Sequence, residues 1–129
     1  SFQEIITSLL QAGKVVHILY PIPELPIGVD KAIRPLSVFG EKPLLDLQRA
    51  TTATYYLKRN EFILHRLDSL PYGENLHAVK PFDILCNDEY CPAVWGDKAL
   101  YWDDNHLSLT GAALVTADIF LQIDAGKPE

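Results

Sequence analysis

Residues 13–20 read Gly13-Lys14-Val15-Val16-His17-Ile18-Leu19-Tyr20, a short apolar run rich in β-branched side chains. A run this short, bounded by turn residues, is the pattern of a strand buried on both faces of a parallel sheet. Before it, Phe2, Ile5, Ile6, Leu9 and Leu10 recur at helical spacing, and Gly13 follows as a stop. Helix, tight turn and buried strand make half of a β-α-β unit, so the pattern predicts a further strand upstream of Ser1. Beyond it, the three prolines of Pro21-Ile22-Pro23-Glu24-Leu25-Pro26 forbid helix and central strand alike, so the chain leaves as an ordered loop. Ligand sites of open α/β sheets are built at that carboxyl edge, which makes Pro23 and Glu24 candidate substrate-lining residues.

Further along, a short helix broken at Pro35 is expected over residues 29–40. After Pro43, Leu47, Ala50, Leu57, Ile63, Leu64, Leu67 and Leu70 read as one long helix, with Arg49, Lys58, Arg59, Glu61 and Asp68 mostly on its other face. Thr51, Thr52 and Thr54 weaken its centre, and Pro71-Tyr72-Gly73 ends it. Leu76-His77-Ala78-Val79 predicts a second short strand, and Pro81-Phe82-Asp83 turns the chain away. The segment 93–101 reads as a hairpin about Gly96-Asp97. Ser108 then opens a final helix through Leu114, Val115, Ile119, Phe120 and Ile123. Helices alternating with sparse apolar strands imply a three-layer α/β/α sandwich on a parallel sheet, here lacking one or more N-terminal strands.

The chain has 129 residues, 48% hydrophobic and 22% charged, which suits one compact core. Its formal charge is −6 and no Lys/Arg cluster stands out, so no nucleic acid is expected as a partner. No apolar run reaches the roughly 18–20 residues that cross a bilayer, and no secretory leader is visible. The absence of methionine marks the chain as a processed product or a piece of a longer protein. Cys86 and Cys91 enclose a short polar loop. Two ligands without a nearby His make a poor zinc site, which leaves either two buried thiols or a disulfide of an oxidising compartment.

The densest chemical signal is Tyr101-Trp102-Asp103-Asp104-Asn105-His106-Leu107-Ser108, in a loop before the final helix. A carboxylate three residues before an imidazole can take the proximal ring N–H. That contact fixes the tautomer and frees the distal nitrogen as a base. The same residue types also serve turns and helix caps, and Ser108 reads as an N-cap rather than a nucleophile. Spacing favours Asp103 over Asp104 as the partner of His106. Trp95 and Trp102 are expected to pack the hairpin, with Trp102, beside Asp103, the better candidate for substrate contact. His17 reads as a core histidine, and no spacing links it to His65 or His77.

The block Asp103-x-x-His106-Leu107-Ser108-x-x-Gly111-Ala112 resembles the last conserved block of the SGNH hydrolase superfamily. In particular it resembles the SGNH-like domain at the C-terminus of acyltransferase-3 type membrane proteins, which O-acylate bacterial surface sugars such as lipopolysaccharide O-antigen. Gly13-Lys14-Val15-Val16 running into Pro21-Ile22-Pro23-Glu24, the pair Cys86 and Cys91, and Leu100-Tyr101-x-Asp103 fall in the matching order. The resemblance implies a flavodoxin-like sandwich of which residues 1–129 are the C-terminal part. It casts His106 as general base and Asp103 as its orienting carboxylate. It also implies a carbohydrate acceptor, an acyl donor, a preceding transmembrane acyltransferase domain and a periplasmic position in a bacterial inner-membrane protein. No metal and no organic cofactor is implied. The family's nucleophile lies in a Gly-Asp-Ser block that this chain lacks, so the serine and the oxyanion donors are expected outside it. This chain alone is then expected to be inactive. A secreted or periplasmic esterase that deacylates carbohydrate, and a non-catalytic carbohydrate-binding domain on the same frame, are the alternative readings.

Overall fold

Alternation of apolar side chains along two short strands sets the architecture. The computed structural model describes residues 1–29 and 46–127. Strand β1 (Val16–Leu19) pairs in parallel with β3 (Leu76–Val79), Val16 opposite Leu76 and Leu19 opposite Val79. Between them lie β2 (Thr51–Thr52) and helix α2 (Ala53–Asp68). Successive strand residues face opposite ways, so each face of the pair carries its own cluster.

On one face Val16, Ile18, Tyr20, Leu76 and Ala78 meet Ile6 and Leu10 of α1 (Phe2–Gln11) and Leu64, Leu67 and Leu70 at the end of α2. On the other, Val79 packs with Leu85 of α3 (Pro81–Leu85) and Val115 of α4 (Leu109–Ala125). Helices therefore cover both faces of a parallel strand pair, the expected α/β layering. A third cluster of Leu25, Val29, Ala50, Ala93, Leu100 and Tyr101 fills the space under the loops at the carboxyl ends of the strands. Each such side chain contributes roughly 1.5–3 kcal/mol by leaving water.

Several elements begin and end where the residues dictate. Ser1 caps α1 with Glu4 in a capping box, and Gly13 takes a φ of 71° that only glycine adopts cheaply. The long helix expected from Leu47 starts later. Thr51 and Thr52 form β2, paired antiparallel with β4 (Tyr90–Cys91), and the Thr52 hydroxyl caps α2. β-Branched threonines favour strand and cap over helix interior, which explains the shift. The 81–85 segment, expected only as a turn, forms α3 with Pro81 in its first turn. The hairpin is present as β5 (Val94–Trp95) and β6 (Lys98–Ala99), with Gly96 at φ 59°. The helix expected over 29–40 lies outside the described residues except for Val29.

Two expectations are corrected. Strand β1 is not buried on both faces: Leu19, at its end, is 50% exposed. His17 and His77, unlinked by spacing, are brought together by the β1–β3 register with ring centroids 5.0 Å apart. His17 is half-buried, and its Nδ1 lies 3.1 Å from Gln122 Oε1 on α4. Cys86 and Cys91 form a disulfide with Cα atoms 4.1 Å apart, tying the end of α3 to β4.

Candidate active site

The chain between β6 and α4 folds back on itself. The Trp102 N–H donates to the His106 carbonyl at 2.8 Å, and Tyr101 bridges antiparallel to Leu107. Inside this turn Asp103 Oδ1 accepts the backbone N–H groups of Asn105 at 2.9 Å and His106 at 2.7 Å, an Asx turn. Asp103 Oδ2 lies 2.7 Å from His106 Nδ1. An ionised carboxylate only accepts, so Nδ1 carries the proton and Nε2 is left as the basic nitrogen. The His106 hydrogen bond, followed by that from Asn105, holds the Asp103 carboxyl down to about 2. Among the described contacts Asp104 offers only its backbone carbonyl, to the Leu25 N–H, so the carboxylate at the imidazole is that of Asp103.

The turn is seated from below by α4. Ser108 Oγ accepts the Gly111 N–H at 3.1 Å and donates to the Ala99 carbonyl at 2.6 Å, while the Ser108 N–H reaches the Leu100 carbonyl at 2.9 Å. A lone pair of Ser108 thus caps α4, and its hydroxyl hydrogen is committed to β6. Gly111 is buried against Leu100, whose carbonyl oxygen would lie 2.2 Å from any Cβ placed there. Glycine at this position lets the helix touch the strand backbone, a reason that the sequence pattern Ser-x-x-Gly only hints at.

The proline loop closes one side. The Leu25 N–H donates to the Asp104 carbonyl at 2.7 Å and the Val29 N–H to the Asp103 carbonyl at 3.3 Å. Pro23 is fully buried within this loop. The Glu24 carboxylate is taken by Arg59 of α2, toward which Asp104 adds attraction. Three residues earlier on that helix, the Tyr56 hydroxyl donates to the Pro21 carbonyl at 3.2 Å, and burial pushes this phenol up to about 12. Arg59 lies on the charged face expected of this helix, and its pairing with Glu24, 35 residues away, leaves no local signal in the sequence.

His106 is open to solvent, its side chain 73% exposed. Trp102 beside it is 77% exposed, and Trp95 is also exposed, so neither packs the hairpin as expected. The turn therefore exposes both a basic imidazole nitrogen and an indole ring. Such an arrangement suits taking a proton from a hydroxyl, with the indole free to meet a flat, partly apolar side of a ligand. Among the described residues no cluster of three or more His, Cys, Asp or Glu is arranged to hold a metal ion. No helix there is long and apolar enough to cross a membrane.

No curated protein matches the chain. Among solved structures, the periplasmic domain of a lipopolysaccharide acetyltransferase from Salmonella ser. Paratyphi A matches with a TM-score of 0.60 at 17% identity. The match covers 95% of this chain and 47% of that one, so this chain spans about half the length of its structural relative. At that identity the likeness concerns the fold. The family described as the SGNH domain fused to AT3 domains matches residues 1–120, nearly the whole chain. With the turn that holds Asp103 on His106 ahead of the capped helix, this match identifies the chain as a member of the SGNH domain family fused to AT3 domains.

Proposed function

We propose that this chain supplies the acid–base half of a serine acyltransferase site, acting on a periplasmic carbohydrate. The observation that carries the reading is the 2.7 Å contact between Asp103 Oδ2 and His106 Nδ1, which leaves Nε2 outward. A serine from outside residues 1–129 attacks the carbonyl of the acyl donor while His106 Nε2 takes its proton. The tetrahedral intermediate collapses, the leaving group collects that proton, and an acyl-serine ester remains. A sugar hydroxyl then attacks the ester, His106 again receiving the proton and returning it to the serine oxygen. Asp103 stays ionised throughout and offsets the charge of the imidazolium.

Transfer rather than hydrolysis is favoured by the family's fusion to AT3 domains, which would sit in the membrane and deliver the acyl group. The relative's description as a lipopolysaccharide acetyltransferase supports an acetyl group, a surface polysaccharide as acceptor, and a periplasmic position in an inner-membrane protein. The exposed indole of Trp102 supports contact with a sugar ring. The test is acetyl transfer to polysaccharide by the full-length protein. His106→Ala is expected to lower kcat by roughly 10³-fold or more, and Trp102→Ala to raise KM for the acceptor. Transfer untouched by His106→Ala, with sugar binding dependent on Trp102, would instead establish a non-catalytic binding domain.

A further inference from the structure

Helix α2 reaches the dyad turn through a chain of contacts along the proline loop, and Arg59 also feels the charge of Asp104 in that turn. Tyr56 and Arg59, three residues apart and so on one helical face, both grip the proline loop, at the Pro21 carbonyl and the Glu24 carboxylate. The next residue, Leu25, donates its N–H to the Asp104 carbonyl, and Val29 donates to that of Asp103. The turn's own bonds fix Asp103 against His106, but they do not fix where the turn sits relative to the rest of the domain. The cap of α4 at Ser108 is one tie to the domain, and the proline loop, itself held by α2, is a second. Arg59 is exposed and the 21–29 loop lacks regular structure, so the pair sets position rather than global stability.

We propose that Arg59, through its ion pair with Glu24, is a positioning residue for the dyad, placing the 103–106 turn at the distance from which His106 serves the nucleophile. The inference rests on the acyltransferase reading of His106. It adds that the position of the base is set by a charge on a helix that does not itself carry the dyad. A displacement of the base by a fraction of an ångström slows proton transfer without altering acceptor binding.

The experiment uses steady-state transfer by the full-length protein, with His106→Ala as the reference for loss of the base. Arg59→Ala is expected to lower kcat about five- to twenty-fold with acceptor KM within about two-fold. The charge swap Glu24→Arg with Arg59→Glu is expected to recover most of the loss that either single reversal causes. Raising salt should slow the parent protein but not Arg59→Ala, because only the parent has the pair to screen. Lys58→Ala, an exposed neighbour on the same helix, should match the parent. If His106→Ala abolishes transfer while Arg59→Ala leaves kcat unchanged, the positioning role is wrong and the dyad reading stands. A rise in KM at constant kcat would make Arg59 a substrate contact and equally overturn it. Transfer that survives His106→Ala would remove the dyad reading, and the role of Arg59 with it.

Discussion

Asp103 does three things with two oxygens. It closes the turn through two backbone N–H groups, fixes the tautomer of His106 and stays ionised to balance it. Its carboxyl is depressed from the ordinary 3.8 to about 2, so the stabilisation it gives the turn is complete above about 4 and is lost as pH falls through 2. Because the His106 side chain is the largest cause, His106→Ala should raise that value toward 3.8. A carboxyl carbon NMR titration of Asp103 reads this directly. Asp103→Asn should leave the turn nearly intact but lower kcat roughly 10³–10⁴-fold, since the amide can present its N–H and favour the wrong tautomer. Among the described residues the buried hydroxyl of Tyr101 finds no partner. Tyr101→Phe should therefore be neutral or stabilising by about 1 kcal/mol in thermal unfolding. The Asp-x-x-His spacing was legible in the sequence because the contact is local. The exposure of Trp102 was not, because solvent access depends on what the rest of the chain leaves uncovered.

At the level of elements, α4 seats the turn, and the disulfide ties the end of α3 to β4. Gly111→Ala would drive a methyl into the Leu100 carbonyl, a backbone atom that cannot step aside. The start of α4 must then lift from the strand. The expected loss is about 2–4 kcal/mol of stability in denaturant unfolding, comparable with overpacking or a lost cap. Replacing Cys86 and Cys91 by serine releases a short loop and should cost about 2 kcal/mol by the chain-entropy estimate. Calorimetry with and without reductant checks it. The two parallel strands and the two end helices could be read from periodicity, since each buries one continuous stripe. Where the reading failed, at residues 47–52, the chain has too few apolar positions to distinguish a helical turn from a two-residue strand. Pairing with β4, distant in sequence, decided the outcome.

Across the molecule, among the described residues, helices cover both faces of two paired parallel strands. Val15 just before β1 and Leu19 at its end, Phe2 and Ile5 on α1, and Phe120 and Leu121 on α4 stand exposed. Apolar side chains in such number beside an unpaired strand edge favour association. Residues 1–129 in isolation should therefore self-associate in light scattering, and Leu19→Lys should reduce it. The SGNH-like fold was legible because its motifs occur in order along the chain. The linkage of α2 to the dyad was not, because it runs through an ion pair and backbone bonds that spacing does not encode.

The central claim is that His106 serves a serine lying outside these residues. Fluorophosphonate labelling of the full-length protein, followed by peptide mapping, tests it most directly, with His106→Ala alongside. The account predicts one labelled serine, outside residues 1–129, and labelling lost in His106→Ala. A label on a serine within these residues, or one that persists without His106, would contradict it.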